Sequence, residues 1–429
     1  MATYYVAKTG NNATADATNP ATPLLTISAS MASASSDGDV VEIIDEGSYD
    51  EYNLIMHAEN ITVRHTASSL GRPKIYTTAT GRFAFDAQDD IAATWRNGLS
   101  LIGLEIYGYQ ENMSFYGGVV ETNNITRMED LHISGCYIYK TSFLTLQPLG
   151  GSPAEPNHID QSIIYFDEVH TSEPIVINAT GHLEISNCLI TSSGGSGGNK
   201  SIIDGNSSPH VTASFSTFIH RGLSGYGPQD KPVIENISKV INCIVSASLS
   251  TDGSSGGMTD GIQATEHTYN IVRTSGDNWI DVGTGASASQ GTGELANTDA
   301  LFIDESVIGD GVSVAANYDI QSSSPARDAG ITFDSIAVDI TGTVRPQNSA
   351  FDIGAFEYIV APTPDPPFDP TTPVAGFIYE ADLTSRKILK VSGDYAYKYG
   401  QDNKQAPFSL TIPGVPTLRN RKTAYSSSR

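Results

Sequence analysis

Three cysteines in 429 residues, Cys136, Cys188 and Cys243, are too few and too spread out for a disulfide framework or a zinc site. Their number leaves the redox compartment open. Charge is scarce too, at 17% of residues, and basic charge scarcer: 24 Lys and Arg face 48 Asp and Glu, a formal net charge of −24. Such a balance excludes a basic nucleic-acid binder. No run of about 18 apolar residues occurs, so no membrane insertion is expected. The Ala/Glu/Lys/Leu/Arg heptads of a coiled coil are missing. Met1–Lys8 has no basic stretch followed by an apolar one, so the chain as written does not read as a secretory precursor. A mature secreted enzyme with a replaced leader is the alternative.

What is present is small and polar: Gly 40, with abundant Ser, Thr and Asn, around short alternating apolar runs. The runs fall at 59–65 (ENITVRH), 98–108 (GLSLIGLEIYG), 131–139 (LHISGCYIY), 161–166 (QSIIYF), 182–190 (HLEISNCLI), 211–219 (VTASFSTFI), 239–245 (KVINCIV) and 268–272 (TYNIV). Aligned on the cysteines, they put Leu104, Cys136, Ile163, Cys188, Thr217, Cys243 and Asn270 in one column, at steps of 32, 27, 25, 29, 26 and 27 residues. That period suits one turn of a right-handed parallel β-helix, an all-β solenoid with three short strands and three bends per turn. One turn cannot bury its inward side chains alone; stacking at ~4.8 Å puts like residues over like. The cysteines then read as an inert inward ladder. The insertions 147–158 and 191–200 read as surface loops.

The ends differ from the repeats. Residues 1–60 read as an N-terminal cap with the first turns, including a short helix near 26–35 that shields the first edge strand. Residues 61–316 carry the repeats, and 317–360 form an irregular closing segment. Residues 361–374 are a linker, with six prolines within 361–373 (APTPDPPFDPTTP). Residues 375–429 read as a small basic β module, with strands expected at 377–379, 387–391 and 395–399. Nine Lys and Arg against four acids give this module +5, and the other 374 residues −29. An acidic rod with a small basic module suggests a module that docks.

Two stretches resemble known β-helix proteins. Tyr4-Tyr5-Val6, Thr9-Gly10-Asn11, Asn19-Pro20, Pro23 and Asp37-Gly38-Asp39-Val40-Val41 look like the opening of pectate-lyase-like right-handed β-helices. Asn317–Gln321, Ser324-Pro325-Ala326-Arg327-Asp328-Ala329-Gly330, Asp339-Ile340-Thr341-Gly342, Arg345-Pro346 and Phe351–Tyr358 are similar to the closing segment of choice-of-anchor Q β-helix proteins. There the segment is a structural cap followed by a variable anchor. The resemblance also implies a place among phage virion proteins (tail spike, tail fibre or capsid-surface decoration). Such a protein would dock on other virion proteins through 375–429 and meet a host surface polysaccharide; spikes of this fold are often homotrimers. The expected location is the virion surface, with an extracellular one as the alternative.

Chemistry has to be argued from sites. Elimination on a sugar acid needs a base and commonly Ca²⁺ on clustered acids; hydrolysis needs two carboxylates across the sugar. The candidate acids Asp86, Asp89, Asp90, Glu129, Asp130, Asp167, Glu168 and Asp204 show no recurrence one turn apart, so no metal site is expected, and Ca²⁺ is the cation a lyase would take. The best lyase-like group is the loop 220–231, with His220, Arg221, Tyr226, Asp230 and Lys231 as base, acid and charge clamp. Asp167-Glu168-Val169-His170 reads as a polar corner, and Asp328, Asp339, Arg345, Asp352 and Glu357 as structural partners within the closing segment. Tyr107, Tyr109, Phe115 and Tyr116 form a candidate sugar-stacking stripe. The reading expected is a virion surface protein for glycan recognition. A polysaccharide lyase or hydrolase and a bacterial cell-surface adhesin are the alternatives.

Overall fold

The computed structural model describes residues 1–65, 71–76, 84–86, 97–107, 120–122, 124–129, 132–138, 144–146, 157–169, 177–179, 182–193, 201–205, 210–221, 229–248, 258–274, 278–280, 286–304, 315–333, 336–359, 378–382, 387–392, 409–410 and 418–419. The chain divides into two compact units, Met1–Val360 and Ala361–Arg429. Among the described residues no helix is long and apolar enough to cross a membrane.

The first unit is a parallel β-helix of three strand stacks. The first stack runs from Thr3–Val6 through Val40–Ile43, Thr62–Arg64, Asn97–Ile102, Asn124–Glu129, Asn157–Asp160, Leu183–Ser186 and Val211–Ser214. It ends in the later halves of the long strands Gln229–Ile241 and Met258–Thr268. The second stack is a ten-stranded sheet from Ser48–Asp50 to Leu295–Ala296. The third runs from Leu54–Ile55 to Trp279–Ile280. Every pairing within the stacks is parallel, so each residue sits over its counterpart one turn away.

That register makes the core. Val41, Val63, Leu101, Met128, Ile159, Ile185, Ala213 and Val240 stack inward on the first sheet, all fully buried. Ile164, Ile190, Phe218 and Val245 do so on the second, and Ile177, Ile203, Ile234 and Ile262 on the third. Each such side chain contributes roughly 1.5–3 kcal/mol by leaving water. Helix Ile27–Ser33, N-capped by Thr26, packs Ile27 and Met31 into the same core. At the other end His267 follows Val240 in the column; its ring stacks on Trp279, and its Nδ1 lies 2.9 Å from the buried Glu294 carboxylate.

The sequence runs are not single strands. Most span two, with a corner between the first and second stacks. Gly103, Gln161, Asn187, Phe215, Asn242 and Tyr269 occupy that corner with positive φ, between 46° and 69°. The next residue of the corner is the true inward column: Ser162, Cys188, Ser216, Cys243 and Asn270, at steps of 26, 28, 27 and 27. The sequence alignment therefore needs correction. Cys136 is in register with Phe166 inside a strand, not at the corner, and Ile163 and Thr217 are one residue off. Ser216 Oγ accepts from the Cys188 amide at 3.1 Å, and Asn270 Oδ1 from the Cys243 amide at 2.9 Å. Both thiols are free and buried. Burial pushes Cys188 up, and Cys243 up to about 12.

The closing segment lies along the flank. On the outward face of the second stack Ile163, Leu189, Ile219, Ile244 and Ile271 form an apolar strip, covered by Phe302, Tyr318, Ile320, Ala326, Ile353, Ala355 and Phe356. Thr217 interrupts the strip, and its hydroxyl accepts from the Ala355 amide at 3.0 Å. Gly354 (φ +101°) approaches so closely that a Cβ there would lie 2.6 Å from Ile244 Cδ1. Two corner side chains hold the segment: Asn242 pairs with the Ile331 backbone at 2.7 and 3.0 Å, and Gln161 donates to the Asp339 carbonyl at 3.1 Å. Within the segment Arg345, fully buried, donates to Glu357 Oε2 at 3.1 Å, to the Gly354 carbonyl at 2.8 Å, and stacks over Phe215 at 4.8 Å. Asp328, Asp339 and Asp352 accept backbone amides.

The second unit, taken by itself, shows two antiparallel pairs: Ile378–Asp382 with Lys387–Ser392, and Ser409–Leu410 with Leu418–Arg419. Glu380 is in register with Lys390 and Asp382 with Lys387. Residues 361–377 and 395–399 lie outside the described residues, as do the loops at 147–156 and 194–200.

Two outcomes are expected. Arg345→Met leaves Glu357 buried without its cation and costs about 3–5 kcal/mol in urea unfolding, with early protease cleavage in 315–359. Pairing it with Glu357→Gln recovers part of the loss. Alkylation followed by peptide mapping should find Cys188 and Cys243 unmodified until the chain is unfolded.

Candidate functional site

The expected catalytic loop is described only at its ends, 220–221 and 229–231. His220 belongs to strand Thr217–Arg221 and shares the inward side with Phe218. It is buried, and its Nδ1 lies 2.9 Å from Ser192 Oγ on the adjacent turn. Burial lowers its pKa to about 4. Alternation along the strand turns His220 inward, so it is not the exposed loop residue that the sequence reading expected. Arg221 ends the same strand, and Asp230 and Lys231 begin Gln229–Ile241; only their backbone is described. Tyr226 lies outside the described residues.

The aromatic stripe is described at Tyr107; Tyr109, Phe115 and Tyr116 lie outside the described residues. Tyr107 is 38% exposed on the outward face of the second stack, in register with Tyr76, which is in register with Asp50. A parallel column holds Ser48, Lys74 and Glu105. Lys74 Nζ lies 3.1 Å from Glu105 Oε1 and 4.1 Å from the centre of the Tyr107 ring. These side chains stand on early turns, before the apolar strip that begins at Ile163 and that the closing segment covers. Among the described residues the outer face of one sheet thus changes from polar and aromatic, with Tyr107 exposed, to apolar and covered. An aromatic ring flanked by a fixed ion pair can stack on the apolar face of a sugar and hydrogen-bond its hydroxyls.

The carboxylates are the second correction. In the third stack Asp86 is in register with Glu121, and Asn178, Asp204 and Glu235 follow one another on consecutive turns. Glu129 is likewise in register with Asp160. Acids therefore do recur one turn apart, at ~4.8 Å strand spacing. Glu235 is buried and accepts from Ser201 Oγ at 2.9 Å; Asp204 accepts from Asn236 Nδ2 at 3.1 Å. Glu121 and Glu235 were missed because the corner between second and third stacks varies in length. The steps from Asp86 to Glu121 and from Asp204 to Glu235 are 35 and 31 residues, not the period of the runs. Asp167 and Glu168 lie on strand Ile163–Val169 rather than at a corner. Asp89, Asp90, Asp130 and His170 lie outside the described residues. Among the described residues no group of three or more His, Cys, Asp or Glu could hold a metal ion.

The buried imidazole has a measurable consequence. Its folded pKa sits below the unfolded value near 6.5, so the unfolded chain takes up the proton first as pH falls. Stability is full above about pH 6.5 and declines toward pH 4, by up to about 3 kcal/mol from this residue. Urea midpoints across that window should show a shallower decline in His220→Gln.

No family model matches the chain, and no curated protein does. Among solved structures it is similar to pectate lyase Pel9A, at 14% identity and a TM-score of 0.40, covering 83% of this chain and 96% of that one. It is also similar to the GH136 lacto-N-biosidase from Eubacterium ramulus, at 12% identity and a TM-score of 0.25, covering 69% of this chain and 67% of that one. The parallel β-helix itself rests on the chain's own strand register.

Proposed function

We propose that this chain is a carbohydrate-recognising rod of a phage-type virion surface, binding glycan on the outer face formed by Lys74, Tyr76, Glu105 and Tyr107. One observation carries the recognition: among the described residues the outward face of the second sheet exposes Tyr107 beside the Lys74–Glu105 pair, while its apolar part lies under the closing segment. The docking role falls to residues 375–429, on the strength of their +5 charge beside a rod at −29 and of the proline-rich linker between.

A second reading, a glycoside hydrolase, is favoured by the in-register carboxylates Asp204 and Glu235. Their strands lie one ~4.8 Å spacing apart, and Glu235, buried against Ser201 Oγ, would have to turn outward to reach the ~5 Å pairing that retaining hydrolysis uses.

The two readings separate in one comparison. Tyr107→Ala should weaken polysaccharide binding about tenfold, with no release of reducing ends by either protein. Reducing-end release that Asp204→Asn and Glu235→Gln each abolish would instead establish the hydrolase. For docking, a chain ending at Tyr358 should bind glycan normally and lose binding to virus-like particles; unchanged particle binding would refute the module's role.

A further inference from the structure

We propose that the glycan recognised on this face is uncharged, and that polyuronates and sulfated polymers are excluded. The proposal rests on the reading of the Lys74–Tyr107 face as the binding surface. Glu46 and Arg72 lie at its margin; within the two columns the described side chains are Ser48, Asp50, Lys74, Tyr76, Glu105 and Tyr107, two acids against one cation. That cation is already engaged. Glu105 lies 3.1 Å from the Lys74 ammonium, and the Tyr107 ring 4.1 Å from it. A polyanion would have to displace Glu105 from Lys74 and would then meet Glu105 and the exposed Asp50 as like charges. At ~4 Å in water each like-charge contact costs about fivefold in affinity. The rest of the rod adds to the repulsion. Outside 375–429 the chain carries −29, though beyond the ~8 Å Debye length of physiological salt this acts mainly on approach. What the face offers instead suits hydroxyl-rich, neutral rings: two tyrosines on adjacent turns for stacking, with a carboxylate and an ammonium as hydrogen-bonding groups beside them.

The test uses the full chain and a panel of soluble polymers: uncharged glucan, galactan and mannan, a polyuronate, and a sulfated polysaccharide, each at low and at physiological salt. At least one uncharged polymer should bind with little salt dependence, and the two polyanions should fall below detection. Asp50→Asn combined with Glu105→Gln should raise polyanion binding at least fivefold, because it frees Lys74 and removes both acids. Tyr107→Phe should keep neutral binding that Tyr107→Ala loses. Polyanion binding equal to neutral binding, lost in Tyr107→Ala and weakened by salt, would overturn the charge inference while leaving the site in place. Neutral binding that Tyr107→Ala leaves intact would overturn the site itself, and binding of no polymer would overturn both.

Discussion

A chain that climbs by one strand spacing per turn must set every residue over its counterpart one turn away. That constraint governs the molecule. Parallel register at ~4.8 Å turns each inward position into a column, and only side chains that tolerate like neighbours fill it. Aliphatic columns fill the interior from Val41 to Val240. At the corner between first and second stacks, Ser162, Cys188, Ser216, Cys243 and Asn270 take the position where a small or amide side chain can bond the preceding turn's backbone, as Ser216 and Asn270 do. The same stacking that makes the thiols inert also sets Asp204 in register with Glu235 on the third sheet.

The corner is where local preference and tertiary structure disagree. Left-handed backbone there suits Asn187, Asn242 and Gly103, but costs ~1–2 kcal/mol for a side chain such as Phe215 or Tyr269. Phe215 is held because its ring lies beneath the Arg345 guanidinium and beside Phe351, 5.5 Å away, so the unfavourable corner anchors the closing segment. Tyr269 is accommodated by Gly293, where a Cβ would lie 2.5 Å from its ring. Asn242 does both tasks, turning the corner and pairing with Ile331. The segment needs these polar fixings because Thr217 breaks the apolar strip it covers.

The short alternating runs, their recurrence and the small polar turns were enough to read a parallel β-helix, since burial on a pleated, stacked surface imposes period two along the chain and a fixed climb per turn. Composition likewise exposed the acidic repeats, the proline-rich linker and the basic end. The side on which each chemistry-bearing residue stands was a different matter. His220 and Tyr107 both sit in or beside alternating runs; a one-residue shift separates an interior imidazole from an outward ring, and corner position sets that shift. The Asp204–Glu235 and Asp86–Glu121 alignments depend on loops of unequal length between stacks, which no constant period reproduces. Local patterning follows from the sequence because it needs only neighbouring residues. Register between turns, and what covers each outer face, exist only once distant segments pack, so those were settled by the tertiary structure.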